Sequence, residues 1–177
     1  MGTRAAEVAL REVGPHSSDE EVVALTETDM CGVDAIQYLT GCTFGKGNLI
    51  HLDYGKNAYT FIRRSDGKAI RVSTLPGAFD RSLEHNELSA KVRNNSATEE
   101  EQARYKELRA DRTEAILQAP EDELYAVEEV AAEIPPKAHI HNSITCADCG
   151  ELTMETRVRR LEGKKLCPAC FEDALSR

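Results

Sequence analysis

The pattern of apolar and polar residues predicts a helix and then a strand at the start of the chain. Apolar side chains between Ala6 and Val13 recur at helical spacing, and Gly14-Pro15 ends the helix. Residues 21–27 form a short run rich in valine and leucine, which is typical of a buried strand. The chain is therefore expected to begin with a helix that is followed by a short strand.

A second helix is predicted over residues 30–40, because apolar side chains again recur at helical spacing. Thr28 or Asp29 can cap its first turn, since their side-chain oxygens accept hydrogen bonds from free backbone N–H groups. Gly41 ends it, as glycine commonly does at this position.

Three strand-like segments follow, at residues 49–54, 58–64 and 69–74. Both connections carry turn-forming residues, so we predict that the three strands form a meander. Residues 124–130 can add one further strand. This order of elements predicts an α+β fold, in which helices cover one side of a mixed sheet.

Residues 75–95 are predicted to be less regular, because Pro76-Gly77 interrupts the pattern. Thr98 and Glu101 form a capping box, and a helix follows that makes an arm over about residues 97–119. Its apolar residues are sparse, which favours a solvated surface helix. Ile134-Pro135-Pro136 then predicts a stiff linker, so we place one domain at 1–133 and a second at 134–177.

Composition narrows the class of protein. The chain has 177 residues, of which 41% are hydrophobic and 30% are charged, and it contains no apolar run of membrane-spanning length. The first residues lack the apolar core of a secretion signal. We therefore expect a soluble cytoplasmic protein without a membrane partner. The net charge of −9 argues against a general nucleic-acid binder but does not exclude nucleic acid as a partner.

The tail carries the strongest motif, two C-x-x-C pairs separated by seventeen residues. Four thiolates suit a tetrahedral Zn²⁺ ion, and because they close its coordination shell the ion is predicted to be structural. A hairpin about Glu162-Gly163 and a short helix after the second pair are typical of a treble-clef zinc finger. His139 and His141 lie just upstream, where surface positions are favoured over a role as alternative ligands. The predicted ligands are Cys146, Cys149, Cys167 and Cys170.

A basic cluster also lies in this tail. Nearby acidic residues almost cancel its charge, so a solvated polar face is the favoured interpretation. A surface that binds a protein or nucleic-acid partner is the alternative. The basic residues are Arg157, Arg159, Arg160, Lys164 and Lys165.

Cys31, Cys42 and Lys46 are the candidate chemical residues of the first domain. A thiol close to a helix N-terminus suits a metal ligand or a nucleophile, whereas a free cysteine is also common as a small buried hydrophobe. Eleven residues separate the two thiols, so they could share an ion only if Gly41 turned the chain back. Lys46 either points its ammonium into such a site or is solvated. Spacing alone leaves these alternatives open.

The glycines around Lys46 do not form a phosphate-binding loop. The segment from Gly41 to Gly47 is one residue short of that motif and lacks Ser or Thr after the lysine. A strand follows it, so no helix N-terminus would receive a phosphate. Nucleotide binding by this motif is therefore rejected.

Several separated motifs together resemble the E-subunit family of formylmethanofuran dehydrogenase. They are CGVDAIQYLTGCTFGKGNL from Cys31, D-x-GK-x-A-x-TF from Asp53 and GK-x-IRV from Gly67, and the tail is similar to the treble-clef module of many members. The resemblance implies an α+β domain with a mixed sheet of about five strands, a zinc-binding active site on it, and a homodimer.

One departure from this family affects the site. Its members usually open with a segment like F-H-G-H-x-C-P-G, whereas this chain starts at Met1-Gly2-Thr3. That segment is expected to supply part of the metal site, so the resemblance implies that Cys31 and Cys42 form an incomplete one, through a truncated start or a real loss.

Two functions agree with these features of the sequence. The first is a metal-binding accessory protein associated with one-carbon or redox metabolism, such as methanogenesis, with one structural zinc and a candidate second site. The alternative is a zinc-finger interaction module whose first-domain pocket is vestigial. The sequence does not decide whether the chain is an enzyme; if it is one, the resemblance implies an oxidoreductase-associated subunit.

Overall fold

The computed structural model describes residues 1–78 and 80–176, and it divides the chain into two compact units, Met1–Lys137 and Ala138–Arg177. The first unit contains helices α1 to α5 and strands β1 to β5. The helices are Gly2–Glu12, Gly32–Thr40, Leu83–Arg93, Glu99–Gln118 and Glu121–Leu124, and the strands are Val22–Thr26, Leu49–His51, Ala58–Arg63, Ala69–Thr74 and Tyr125–Glu129.

The five strands form one mixed sheet in the order β2-β1-β3-β4-β5, which confirms the predicted α+β class. The predicted meander is wrong for its first strand, because β2 pairs in parallel with β1 and not with β3. Residues 52–57 cross the end of β1, where the Leu52 amide donates to the Thr26 carbonyl (2.7 Å) and the Lys56 amide to the Glu27 carbonyl (2.9 Å). The turn residues in this segment therefore serve a crossover rather than a hairpin.

One face of the sheet forms the main core with α1 and α2. Because side chains alternate along a strand, Val22 and Ala24 of β1 point to this face, together with Phe61 of β3 and Val72 of β4. The helices contribute small and branched side chains, chiefly alanines and valine of α1 and Ile36 of α2. This packing fixes where both helices begin relative to the sheet.

The opposite face is covered by the segment that follows β5. Val23, Ile62 and Ala69 are buried there, and Val130 and Ala132 pack against them. The Arg64 guanidinium donates to the carbonyls of Pro135 and Pro136 and pairs with Glu20. The predicted linker residues 134–136 are therefore attached to the first unit.

Two local predictions in the first unit need correction. The predicted cap of α2, Thr28 or Asp29, is wrong: the cap residue is Cys31, which forms no side-chain hydrogen bond. The Thr28 hydroxyl accepts from the Met30 amide (3.2 Å), which lies before the first residue of the helix. The segment after β4 contains α3, which Ser82 caps by accepting from the His85 amide. The α4 capping box is confirmed, since Thr98 and Glu101 exchange both hydrogen bonds.

The second unit is built from two short hairpins and a helix. Strands β6 and β7 (Ser143–Thr145 and Leu152–Met154) pair, as do β8 and β9 (Arg159–Leu161 and Lys164–Leu166), and α6 spans Pro168–Leu175. The predicted hairpin about Glu162-Gly163 is confirmed, with φ of 48° and 79° at the two turn residues. Its first strand begins at Arg159, and Met154 belongs to β7, which pairs with β6. Across the described part of both units, no helix combines the length and apolar character needed to cross a membrane.

Candidate metal centre and ligand cavity

The four cysteines of the tail converge on one point. Their Sγ atoms all lie within 4.8 Å of one another. Cys146 and Cys149 lie on the turn after β6, and Cys167 caps α6, where its Sγ accepts from the Cys170 amide (3.4 Å). Gly150 follows the first pair with a φ of 76°, a left-handed conformation that glycine adopts without a Cβ clash. The local geometry thus brings together the thiols that the sequence predicts.

The electrostatics of this cluster fit a metal ion. The Cys167 amide donates to the Sγ of Cys146 (3.3 Å), which lowers the pKa of Cys146 to about 6. The pKa of Cys170 is raised, chiefly by its side-chain hydrogen bond with Cys167. Four crowded thiols do not all ionise unaided, because thiolates repel one another. A divalent cation removes that repulsion, and Zn²⁺ takes such a set of four thiolates as a closed structural site.

The two upstream histidines do not belong to this cluster. His139 and His141 are both exposed, and His141 lies 3.8 Å from a carboxylate oxygen of Glu155. These positions agree with the favoured expectation of surface histidines.

The structure does not bring Cys31 and Cys42 together. They flank α2, whose nine residues span about 13 Å at 1.5 Å per residue. Gly41 has a φ of 72° and turns the chain into the core, where Cys42 is fully buried and its Sγ donates to the Val22 carbonyl (3.4 Å). Burial raises the pKa of the Cys42 thiol. Cys42 therefore has the environment of a small core residue.

The Lys46 side chain also lies outside any site with Cys31. Its Nζ donates to the Ser17 carbonyl (2.8 Å), which ties the glycine turn to the segment before β1. Of the three candidate residues, only Cys31 lies on the wall of a large cavity in the described part of the first unit.

This cavity has a volume of about 900 Å³ and lies where α1 and α2 begin. Its wall combines a thiol, two guanidinium groups, two amides and a phenol with apolar side chains from α2 and α4. The polar members of the wall include Cys31, Asn57, Tyr59, Arg81, Asn86 and Arg112.

Tyr59 reaches the cavity because α2 begins with a glycine. A Cβ at Gly32 would lie 2.4 Å from the Tyr59 hydroxyl, a distance that any other residue type would have to relieve by moving the phenol. The start of α1 is equally close, since a Cβ at Gly2 would lie 2.2 Å from the Gly32 carbonyl oxygen. The glycines bring two helix N-termini and one tyrosine hydroxyl to the same cavity.

Sequence reasoning found Cys31 and missed its neighbours in this cavity. Tyr59 lies on β3, Arg81 precedes α3 and Arg112 lies on α4, so no local spacing connects them with the thiol. The sequence signal that could have indicated this cavity is Gly32, which directly follows Cys31 in the family motif.

An α+β unit with a ligand-sized cavity, together with a four-cysteine zinc finger, defines a modular metal-binding protein. A family model described as FmdE, molybdenum formylmethanofuran dehydrogenase operon, matches residues 1–126, so the chain belongs to the FmdE family. A second model, described as the prokaryotic dksA/traR C4-type zinc finger, matches residues 142–174. Both matches confirm the resemblance seen in the sequence.

Two known proteins extend this comparison. The chain is 35% identical over 167 residues to a probable S-adenosyl-L-methionine-binding protein of Archaeoglobus fulgidus; the match covers 90% of this chain and 45% of that protein. The chain thus spans about half the length of this relative. The fold is similar to the crystal structure of a tungsten formylmethanofuran dehydrogenase FmdE-like protein from Syntrophus aciditrophicus, with 23% identity, a TM-score of 0.59, and coverage of 98% of this chain and 82% of that one.

Proposed function

We propose that this protein is an FmdE-type accessory protein of one-carbon or redox metabolism whose first unit binds a small organic ligand beside Cys31. The observation that carries the proposal is the cavity of about 900 Å³ with the Cys31 thiol on its wall. Cavities of roughly 300–1,000 Å³ with a few placed polar groups on an apolar lining are typical of small-molecule sites. The zinc finger is a separate structural module in this proposal.

S-adenosylmethionine is the ligand to test first. The relative from Archaeoglobus fulgidus carries the name of an S-adenosyl-L-methionine-binding protein, and the cavity is large enough for a molecule of that size. A resident metal beside Cys31 has less support. Within the part of the chain that the structure describes, the only group of three or more close metal-ligating side chains is the four-cysteine cluster.

Filling the cavity is expected to abolish ligand binding. Ala35 lines the cavity, whereas Tyr38 lies on the same helix, is 82% exposed and is not part of the cavity wall. We expect Ala35→Trp to weaken S-adenosylmethionine binding at least about tenfold in isothermal titration calorimetry, because the indole occupies the ligand's volume. Tyr38→Trp is the matched control and should bind as the wild type does. Absence of binding by the wild-type protein, or equal affinity of the two variants, would contradict the proposed ligand.

A second function is favoured by one feature of the finger. Arg160 and Lys165 face each other directly across the β8–β9 hairpin, and like charges in that position are destabilising. Neither forms an ion pair with any residue that the structure describes. We propose that this exposed hairpin binds a polyanionic partner, which would offset the repulsion.

Nucleic acid is the first partner to test on this surface. We expect the full-length protein to shift the anisotropy of a labelled oligonucleotide at low salt, and Arg160→Glu to weaken that binding several-fold, since each lost phosphate contact lowers affinity and salt dependence. Arg93→Glu, an exposed substitution at the end of α3, controls for net charge. Equal binding by both variants would show that the hairpin is not the interface.

A further inference from the structure

We infer that the cavity beside Cys31 recognises an anionic group of its ligand and holds that carboxylate or phosphate group at the start of α2. The inference rests on the proposed function in one respect only, namely that this cavity takes a ligand. It goes further by naming the anionic group of that ligand and the protein groups that recognise it.

The first line of support is the exposed N-terminus of α2. Its cap residue, Cys31, gives the helix no side-chain hydrogen bond. The amides of Cys31 and Gly32 have no hydrogen-bond partner among the described residues, and both residues line the cavity. Free N–H groups and the positive end of the helix dipole, roughly half an elementary charge, together favour an anion.

A second, independent observation comes from the sheet. Tyr59 of β3 is only 3% exposed, and what remains exposed lines the cavity. Its hydroxyl has no hydrogen-bond partner among residues 1–78 and 80–176. Because Tyr59 lines the cavity, a ligand oxygen beside Gly32 would accept a hydrogen bond from this hydroxyl. Since a phenol donates its proton readily, an anionic oxygen is the best acceptor for it.

The charges around the cavity point the same way. Arg81 and Arg112 both line it, and Asp80 is the carboxylate on the same wall. The pKa of Arg112 is lowered, chiefly by burial and also by the positive charge of Arg81. Arg81 forms no ion pair with a described residue. An anion beside Arg81 would pair with its guanidinium group, and arginine matches carboxylate and phosphate in geometry.

The Cys31 thiol offers a direct measurement of this preference. Iodoacetate and iodoacetamide differ in charge, and with both of them the thiolate sulfur forms a bond to the CH₂ carbon while iodide leaves. Because both reagents react with the same thiol, its protonation state cancels in the ratio of their rates. We expect the iodoacetate-to-iodoacetamide rate ratio at Cys31 to exceed that of free glutathione by about tenfold, since local positive potential concentrates anions.

The measurement is made on the zinc-loaded full-length protein by mass spectrometry of the tryptic peptide from Glu12 to Lys46. This peptide also contains Cys42, which should stay unmodified because it is fully buried. Arg81→Gln is expected to bring the ratio to within about twofold of glutathione, and Tyr59→Phe to lower it part of the way. Arg93→Gln, outside the cavity, should leave it unchanged.

Competition distinguishes the two chemistries that the site could recognise. Formate and inorganic phosphate are added in turn to the reaction with iodoacetate. If formate slows the modification of Cys31, the site recognises a carboxylate; if phosphate slows it, the site recognises a phosphate. A ratio equal to that of glutathione, or one that Arg81→Gln does not change, would overturn the inference.

This outcome is separable from that of the proposed ligand. If S-adenosylmethionine fails to bind but the rate ratio is raised, the anion site stands and the ligand proposal falls. If S-adenosylmethionine binds no better than decarboxylated S-adenosylmethionine, which lacks only the carboxylate, and the ratio is normal, the ligand proposal stands and the anion site falls.

Discussion

Removal of zinc from the finger is expected to unfold residues 138–176 and to leave the first unit folded. Of the described residues in the second unit, only Cys146 and Leu166 are buried, so its apolar core is minimal. Chains below about 40 residues usually need a metal, a disulfide or a partner to fold. Structural zinc supplies about 10–16 kcal/mol in comparable finger peptides, which is most of the folding free energy.

The distribution of tyrosine makes this prediction measurable in the intact chain. All five tyrosines lie in the first unit and the chain has no tryptophan, so near-ultraviolet circular dichroism reports chiefly on that unit. After chelation we expect this signal to persist while the amide resonances of the finger lose their dispersion. Cys170→Ser should reproduce the effect without chelator. Dispersed finger resonances in metal-free protein would contradict a zinc-dependent fold.

The zinc content provides a control for the first unit. We expect about one zinc ion per chain, since four thiolates form one closed site. The content should be the same in Cys31→Ser. A second equivalent of zinc, lost in that variant, would show a resident metal in the cavity.

Phe61→Ala is expected to destabilise the first unit by about 3–5 kcal/mol, the usual cost of removing a buried phenyl ring. Phe61 is fully buried on the central strand β3, where it pairs with Ala24 of β1 and Ile70 of β4. Small neighbours such as Ala5 and Ala6 of α1 cannot extend to fill the space that the ring leaves. The loss of unfolding free energy should therefore lie near the upper end of this range, because the substitution leaves a cavity.

Phe44→Ala is the matched control for this substitution. Phe44 is 82% exposed, so its truncation should change stability by no more than about 0.5 kcal/mol. Urea unfolding followed by tyrosine ellipticity gives both values for the first unit. Similar midpoints for the two variants would mean that the Phe61 site collapses around the missing ring or that the ring contributes little to the core.

The finger was predictable from sequence because its determinants are local. Each C-x-x-C pair places two ligands on one turn, and Glu162-Gly163 specifies a two-residue hairpin between them. The position of β2 was not predictable in the same way. Parallel pairing of Leu49 with Ala24 depends on packing across the whole unit, whereas turn residues at 55–57 suit a hairpin equally well.

The candidate site was likewise predictable only where neighbouring residues in the sequence determine it. Cys31 could be selected because it precedes a predicted helix, but its pairing with Cys42 could not be decided by spacing. The structure separates them because Gly41 directs Cys42 into the core. Tyr59 and Arg112 join Cys31 only through the tertiary fold, and α3 escaped prediction because its apolar residues do not form a clear stripe.

The attachment of Pro135 and Pro136 to Arg64 has a practical consequence for anyone who wants the first unit alone. Val130 and Ala132 cover one face of the sheet, and the two proline carbonyls accept hydrogen bonds from a guanidinium that is largely withdrawn from solvent. A gene fragment that stops at the strand β5 would leave that face bare and invite aggregation. The natural place for a stop codon or a protease site is after Lys137, where the first unit ends.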